Sequence, residues 1–267
     1  MNDKPIIGLI LGDAAGVGPE IIAKLAANNF YDEYCKPIVL GDIRVLERGA
    51  KAAGVTFPIQ IIESVEDANW AEGIPVLDQK DLDPANIPYG VLSSESGKSC
   101  LGLLKLGVEL FQAKKIDGFC FAPLNKSAMI LAGCPFESEH HYLAHLFNHK
   151  EPFGEINVVG NLWTTRATSH IPLKDVSAHL TVDTILRAVR LANTTLKNSG
   201  IEKPVLALAA LNPHCGENGE CGREEIDVIA PAIKKANEMG IDARGPYPSD
   251  ILFIKAFNGE FDGVVTM

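Results

Sequence analysis

The chain has 267 residues, of which 46% are hydrophobic, and its formal net charge is −10. This length provides for one large core or two smaller cores, and the negative charge argues against a general surface for nucleic acids or anionic membranes. No apolar stretch approaches the roughly 20 residues of a membrane span, and the start, MNDKPIIGLILGD, does not resemble a signal peptide. We therefore expect a cytoplasmic protein without a nucleic-acid or membrane partner.

Short apolar runs alternate with helical patterns along the chain. The predicted elements, in chain order, are a strand in PIIGLIL, a helix over 19–27, a strand in KPIVLGD, a helix over 100–113, strands in GFCFAP and EINVVG, a helix over 181–196, a strand in PVLALAAL, a helix over 224–239 and a strand in FDGVVTM. Such alternation is typical of an α/β fold with a mostly parallel sheet. No internal repeat or low-complexity linker divides the chain.

The first predicted strand leads into GDAAGVGPEII, a glycine-rich turn before a helix. Pro19 suits the first turn of a helix, and Glu20 suits the positive end of the helix dipole. The spacing G-x-x-x-G-x-G matches neither the dinucleotide fingerprint nor the P-loop. From these residues alone, a tight structural turn and an anion-binding loop both stay open.

Two charged residues are further candidates, and the first of them, Lys126, follows the predicted strand in GFCFAP. Lys126, in APLNKSA, could neutralise a carboxylate or phosphate or transfer a proton, but a solvated lysine at a helix start fits the same pattern. Asp250, in GPYPSDILF, either caps the following helix or supports a metal ligand.

Two histidines lie at loop edges beside structured backbone, where ligands of divalent metals are often found. His170 stands in SHIPL, and His214 stands in LNPHCGENG, directly after a predicted buried strand. The glycines that follow His214 leave room for a small ligand. Each histidine taken alone is more typical of a protein surface than of a metal site.

Several segments together resemble one family. GDAAGVGPEI, APLNKSA, GCPF, SHIPL, LNPHCGENGECGREEID, GPYPSDILF and FDGVVTM are similar, in order and spacing, to the 4-hydroxythreonine-4-phosphate dehydrogenase family of vitamin B6 biosynthesis. The resemblance covers nearly the whole chain, and its Asn-Pro-His segment is the most specific part. That family in turn resembles the isocitrate and isopropylmalate dehydrogenases.

The resemblance implies a fold of two α/β subdomains with mostly parallel sheets and a cleft between them. Residues 1–124 would form the cofactor-side subdomain, which a C-terminal segment absent here normally completes. Residues 125–267 would form the second subdomain, with the metal and substrate site and the dimer interface. The turn at 12–20 would be a structural turn bordering the cofactor cleft rather than a pyrophosphate site.

The implied activity is that of a dehydrogenase that uses NAD or NADP and a divalent metal (Zn, Mg, Mn or Co) to oxidise a small hydroxy acid, whose 3-oxo product then loses CO₂. Two of the family's three metal-binding histidines match His170 and His214, and the third belongs to a Tyr-His-Asp-Gln-Gly stretch that would follow Met267. We assign Lys126 as a catalytic anion clamp or proton relay and Asp250 as a catalytic, metal-supporting carboxylate. The cofactor-binding residues stay unknown, and a homodimer with an interface within about 125–240 is implied.

One segment departs from the family. After GCPF the family usually has Thr/Pro-Gly-His-Thr-Glu, whereas positions 137–141 here are Glu-Ser-Glu-His-His. We expect Glu139, His140 and His141 to contact the substrate, and the new carboxylate repels a phosphate unless a cation intervenes. We therefore expect a preferred substrate other than 4-hydroxythreonine 4-phosphate itself.

Two alternatives to an enzyme that oxidises a sugar-acid phosphate stay open at this point. The first is a dihydrodiol carboxylate, which other members of the family oxidise. The second is that the protein is a non-catalytic relative that binds a metal or ligand, if the chain ends at residue 267.

Overall fold

The computed structural model describes residues 4–136, 138–151 and 153–267. The chain divides into two compact units, Met1–Lys150 and Glu151–Met267, and each contains one five-stranded sheet. The predicted α/β class with mostly parallel sheets is confirmed. Glu137, in the segment that departs from the family, lies outside the described residues. Across the described ranges, no helix has both the length and the apolar character needed to cross a membrane.

Strands and helices alternate as the sequence predicts. The strands are β1 Ile6–Ile10, β2 Lys36–Gly41, β3 Ile59–Ile62, β4 Ile74–Asp78, β5 Gly118–Phe121, β6 Asn157–Val159, β7 Leu162–Arg166, β8 Val205–Ala209, β9 Asp242–Tyr247 and β10 Gly263–Thr266. The helices are α1 Gly18–Asn28, α2 Ile43–Ala53, α3 Ser94–Gln112, α4 Lys126–Leu131, α5 Glu139–Leu146, α6 Val176–His179, α7 Val182–Asn198, α8 Ala230–Glu238 and α9 Ser249–Phe257. A π-helical turn, Glu225–Ile229, directly precedes α8.

The first sheet has the order β3-β4-β2-β1-β5, and all of its strand pairs are parallel. Alternate residues of β1 point to opposite faces, so Leu9 packs with α1 and α2 while Ile10 packs with α3. Helices therefore cover both faces, as a parallel sheet requires. This burial on both sides explains why its strands appear in the sequence as continuous apolar runs.

The second sheet has the order β6-β7-β10-β8-β9. Strands β7, β10, β8 and β9 are mutually parallel, and only β6 runs antiparallel, against β7. Val265 packs on one face with α7 and α8, and Val264 packs on the other face with α9. The second sheet is thus also enclosed by helices on both sides.

Helices α4 and α5 pack with the first unit. The compact units divide after Lys150, whereas the sequence analysis places the boundary after residue 124. Met129 of α4 is buried in the same core cluster as Leu103 of α3, and Tyr142 of α5 packs against that cluster. Residues 125–150 therefore share the core of the first unit, and the roles assigned to the two subdomains stay predictions.

The glycine-rich turn after β1 is closely packed. Gly12 has φ +75°, and a Cβ built on it would lie 2.6 Å from the carbonyl oxygen of Pro123. The amides of residues 13–16 all donate within the protein, to the Pro123 carbonyl, to Ser96 Oγ, and to the side chain and carbonyl of Asp13. Because these four amides are already bonded, they do not offer a row of free donors to a pyrophosphate group.

The close approach of α3 and α4 generates a stability prediction. A Cβ on Gly97 of α3 would lie 2.0 Å from the Ala128 carbonyl oxygen of α4, whereas a Cβ on Gly102 of the same helix meets nothing within 4 Å. Gly97→Ala forces the two backbones apart, and we expect it to lower the free energy of unfolding by about 3 kcal/mol. Gly102→Ala is the matched control and should raise it by about 0.5–1 kcal/mol. Urea unfolding measures both, and equal effects would show that the helices do not pack this closely.

Candidate active site

Four parallel strands of the second sheet end at the same edge. His170 lies shortly after β7, His214 after β8 and Asp250 after β9. Strands β7 and β8 both flank β10, so their ends are about 10 Å apart at the usual strand spacing. Loops beyond the carboxyl ends of parallel strands are where ligands bind in open α/β sheets. The sheet thus brings the three candidate residues to one edge.

Hydrogen bonds connect the loops at this edge. The amide and hydroxyl of Thr168 donate to the carbonyl oxygen of Met267 at 3.2 and 2.7 Å. The hydroxyl of Ser249 donates to the carbonyl oxygen of Ala210 at 3.3 Å. The segments that carry His170, His214 and Asp250 are therefore each anchored to a neighbouring strand end.

His214 begins an unusual turn. Residues 214–218 all have left-handed backbone angles, with φ between 45° and 77°. Only glycine adopts this region without a steric cost, so a run of such residues persists only where the surroundings impose it, and such strain is concentrated at functional sites. The His214 side chain is 75% exposed. The turn thus presents the imidazole to solvent at the sheet edge.

The imidazole of His214 is oriented by a carboxylate. Its Nδ1 lies 2.6 Å from Oε1 of Glu217. This hydrogen bond is the main cause that raises the pKa of His214 above its ordinary value, and the charge of Asp250 contributes further. His214 in turn lowers the pKa of Glu217. The exposed imidazole therefore has its Nδ1 engaged by Glu217.

Asp250 does not occupy the N-cap position of α9. The helix begins at Ser249, and Pro248 is its N-cap residue. The Asp250 carboxylate lies in the first turn, where Oδ1 accepts a hydrogen bond from the Ile251 amide at 3.0 Å. Acidic residues are favourable in this turn because of the helix dipole.

The donor chemistry at this edge fits a divalent metal. Imidazole nitrogens and a carboxylate oxygen are ligand types that zinc and similar metals take. In the part of the chain that the structure describes, no group of three or more His, Cys, Asp and Glu side chains is gathered closely enough to hold a metal ion. His170 and His214 are thus side chains of a suitable type, and a metal site at this edge needs a further donor.

Glu225 is a buried carboxylate that the sequence analysis did not single out. It is 3% exposed. Its Oε1 accepts the amides of Leu211 and Asn212 at 2.9 and 2.7 Å, and its Oε2 accepts Nδ2 of Asn212 at 3.0 Å. A Cβ on Gly216 would lie 2.8 Å from Oε2, so the His214 turn closes directly over this carboxylate. Glu225 therefore fixes the backbone on which His214 is carried.

The sequence did contain a signal for Glu225. It occupies a position in the buried stripe of the helical segment that continues through Ile229, Ala232 and Ala236. A carboxylate among apolar residues at this spacing needs buried hydrogen-bond donors. The neighbouring Glu224 accepts hydrogen bonds from Ser177 and Asn212, and these bonds lower its pKa.

The remaining candidate residues lie together in the first unit. Lys126 is the first residue of α4, whose N-cap is Asn125, and Glu139 is the first residue of α5. Lys126 Nζ lies 3.7 Å from Glu139 Oε2. The ring centroids of His140 and His141 are 4.8 Å apart. The structure thus joins Lys126 to the Glu139 segment, a pairing that the sequence analysis did not predict.

The Glu225 network predicts a specific stability loss. Glu225→Ala leaves a buried pocket and two partly buried amides without their acceptor, and we expect the free energy of unfolding to fall by about 2–4 kcal/mol. Asp227→Ala is the control, because Asp227 pairs only across the exposed helix surface with Arg223, and its effect should be much smaller. Chemical denaturation measures both variants. A loss for Glu225→Ala as small as that for Asp227→Ala would contradict the role given to this carboxylate.

Comparison with known proteins shows which family the chain resembles. Residues 33–267 match the family model "Pyridoxal phosphate biosynthetic protein PdxA". D-threonate 4-phosphate dehydrogenase of Cupriavidus necator is 35% identical over 98% of this chain and 79% of its own length. 4-hydroxythreonine-4-phosphate dehydrogenase of Desulforapulum autotrophicum is 35% identical over 100% of this chain and 78% of its own.

A solved structure gives the same result. The crystal structure of a 4-hydroxythreonine-4-phosphate dehydrogenase from Burkholderia phymatum superposes with a TM-score of 0.79 at 36% identity, covering 99% of this chain and 80% of that one. These relatives and this neighbour are all named as dehydrogenases. The resemblance that the sequence motifs indicate is confirmed, and the chain belongs to the PdxA family.

Proposed function

We propose that this protein is an NAD- or NADP-dependent dehydrogenase that binds a divalent metal, Zn, Mg, Mn or Co, and oxidises a small hydroxy acid. The substrate is related to 4-hydroxythreonine 4-phosphate or to a sugar-acid phosphate such as D-threonate 4-phosphate. The observation that carries the proposal is the common sheet edge at which His170, His214 and Asp250 follow three parallel strands. The names of the relatives support an oxidoreductase.

Each candidate residue has a role in this proposal. His170 and His214 bind the metal, and Asp250 supports them by its negative charge. A divalent metal held by these histidines would supply Lewis-acid chemistry to the substrate hydroxyl. Lys126 holds an anionic group of the substrate or relays a proton, while Glu139, His140 and His141 contact the substrate. Bound NAD or NADP would supply the hydride acceptor for oxidation of the substrate to a 3-oxo acid, which would then lose CO₂.

An assay of cofactor reduction tests the function. The chain is incubated with each divalent metal, with NAD or NADP, and with 4-hydroxythreonine 4-phosphate, D-threonate 4-phosphate or a dihydrodiol carboxylate. Reduction with one of the phosphorylated acids supports the proposal, and reduction with the dihydrodiol alone supports the alternative substrate. Metal binding without reduction of either cofactor would favour a non-catalytic, metal-binding relative.

The metal ligands can be tested without turnover. We expect His170→Ala and His214→Ala each to weaken Zn²⁺ binding at least tenfold in calorimetric titration, because each removes a nitrogen donor. His179→Ala is the control, since His179 is an exposed histidine of the same unit whose Nδ1 contacts the Asp175 carbonyl. Unchanged affinity in either of the first two variants would refute the assignment of that residue.

We also propose a homodimer whose interface lies within about residues 125–240. The edge strand β6 supports this, because all three of its residues are exposed and two of them are Val158 and Val159. Exposed apolar edge strands are natural sites of pairing with another chain. Sedimentation at micromolar concentration should give twice the chain mass, and a single monomeric species would contradict the proposal.

A further inference from the structure

The carboxylate of Glu139 is buried at one oxygen without a hydrogen-bond partner. Its Oε2 is shielded from solvent, and no described residue donates a hydrogen bond to it. The ammonium nitrogen of Lys126 lies 3.7 Å away, which is beyond the 2.7–3.2 Å range of a hydrogen bond. The two groups therefore neutralise each other's charge but leave the acceptor unfilled.

A small cavity adjoins this pair. Besides Lys126 and Glu139 it is lined by Met129, Ile130, Cys134, Phe136 and Ser138. Its volume of about 10 Å³ is room for one water-sized group. A buried acceptor without a donor is costly, so a group that enters with a donor hydrogen gains the bond that the protein does not supply. A hydroxyl group has the required size and chemistry.

The charges around the cavity disfavour a phosphate. The Lys126 side chain is 56% exposed, and it would be an open cationic site for a phosphate if it stood alone. The Glu139 side chain is 25% exposed, and its negative charge lies 3.7 Å from that cation. For a phosphate dianion that approaches Lys126, repulsion by Glu139 therefore offsets the attraction of the ammonium group. A neutral hydroxyl meets no such repulsion.

We propose that Lys126 and Glu139, whose charges offset each other, form a substrate-binding subsite. This subsite favours substrates with a hydroxyl group at this position over substrates with a phosphate. Glu139 is the specificity-determining residue, because it supplies both the open acceptor and the charge that cancels Lys126. The preferred substrate is thus the unphosphorylated counterpart of the acids named above, such as D-threonate in place of D-threonate 4-phosphate, and in this one respect the inference departs from the substrates of the proposed function. This inference rests on the proposed function, in which Glu139 contacts the substrate.

The test compares D-threonate 4-phosphate with D-threonate. Their dissociation constants are measured by calorimetry, because binding is independent of any catalytic role of Lys126. We expect the wild type to bind D-threonate at least as tightly as its 4-phosphate. Glu139→Gln keeps the size of the side chain but frees the charge of Lys126, and it should shift the ratio of the two constants at least tenfold toward the phosphate.

Two further variants complete a double-mutant cycle of Lys126 and Glu139. Lys126→Met alone should shift the ratio further away from the phosphate, and the double variant should lose the gain seen in Glu139→Gln. Glu109→Gln is the matched control, since Glu109 lies 3.7 Å from Lys105 on the exposed face of α3, and it should leave the ratio unchanged. Circular dichroism of each variant checks that it is folded, and Lys126→Met keeps the test decisive if Glu139→Gln does not fold.

The proposal is overturned if the wild type prefers the phosphate tenfold or more, if Glu139→Gln leaves the ratio unchanged, or if neither compound binds to any variant. Failure of the proposed function gives a different result. In that case the ratio shifts as expected between the variants, but no hydroxy acid reduces NAD or NADP in the presence of metal.

Discussion

The parallel pairing of β10 with β7 and β8 is the constraint on which the candidate site depends. Val264 is aligned with Thr164 on one side and with Ala207 on the other. A shift of either pair by one residue turns every side chain of the strand to the opposite face, so the buried valines fix the register. With the register fixed, the loops that carry His170 and His214 emerge at one edge with only one strand between them.

Strand direction alone does not orient a side chain, and in the His214 loop two carboxylates do this in different ways. Glu225 is buried and binds the backbone just before the turn, whereas Glu217 is exposed and contacts the imidazole itself. The first interaction limits the path of the chain, and the second limits the rotation of the ring. The left-handed angles of residues 214–218 are what this double restraint requires of the backbone.

Most of the strands that the sequence predicts are buried on both faces, although β5 and β6 were also predicted and have exposed residues. Strands β1, β2, β8 and β10 appear as continuous apolar runs, and the run of β8 was enough to place His214 after the end of a strand. Strands β4 and β9 contain Pro75 and Pro246, and β7 contains two threonines and an arginine, so their apolar runs are interrupted. These strands were not predicted from the sequence.

The side-chain contacts of the site could not be predicted in the same way. Lys126 and Glu139 stand at the starts of two different helices, and their approach depends on how α4 and α5 pack against α3. The hydrogen bonds of Glu225 depend on the turn that follows β8. Spacing along a sequence determines which residues share a face of one element, but not which residues meet across a core.

The position of β10 also bears on how the second unit folds. It lies in the middle of the sheet, yet it is the last of the described strands in chain order, and the contact between Thr266 and Thr165 joins residues 101 positions apart. During synthesis, β7 and β8 are complete long before the strand that must lie between them. Until β10 enters, both present unpaired backbone edges, and contacts this distant in sequence form slowly. The second unit therefore acquires its core late, and nascent chains without β10 are the species most exposed to aggregation.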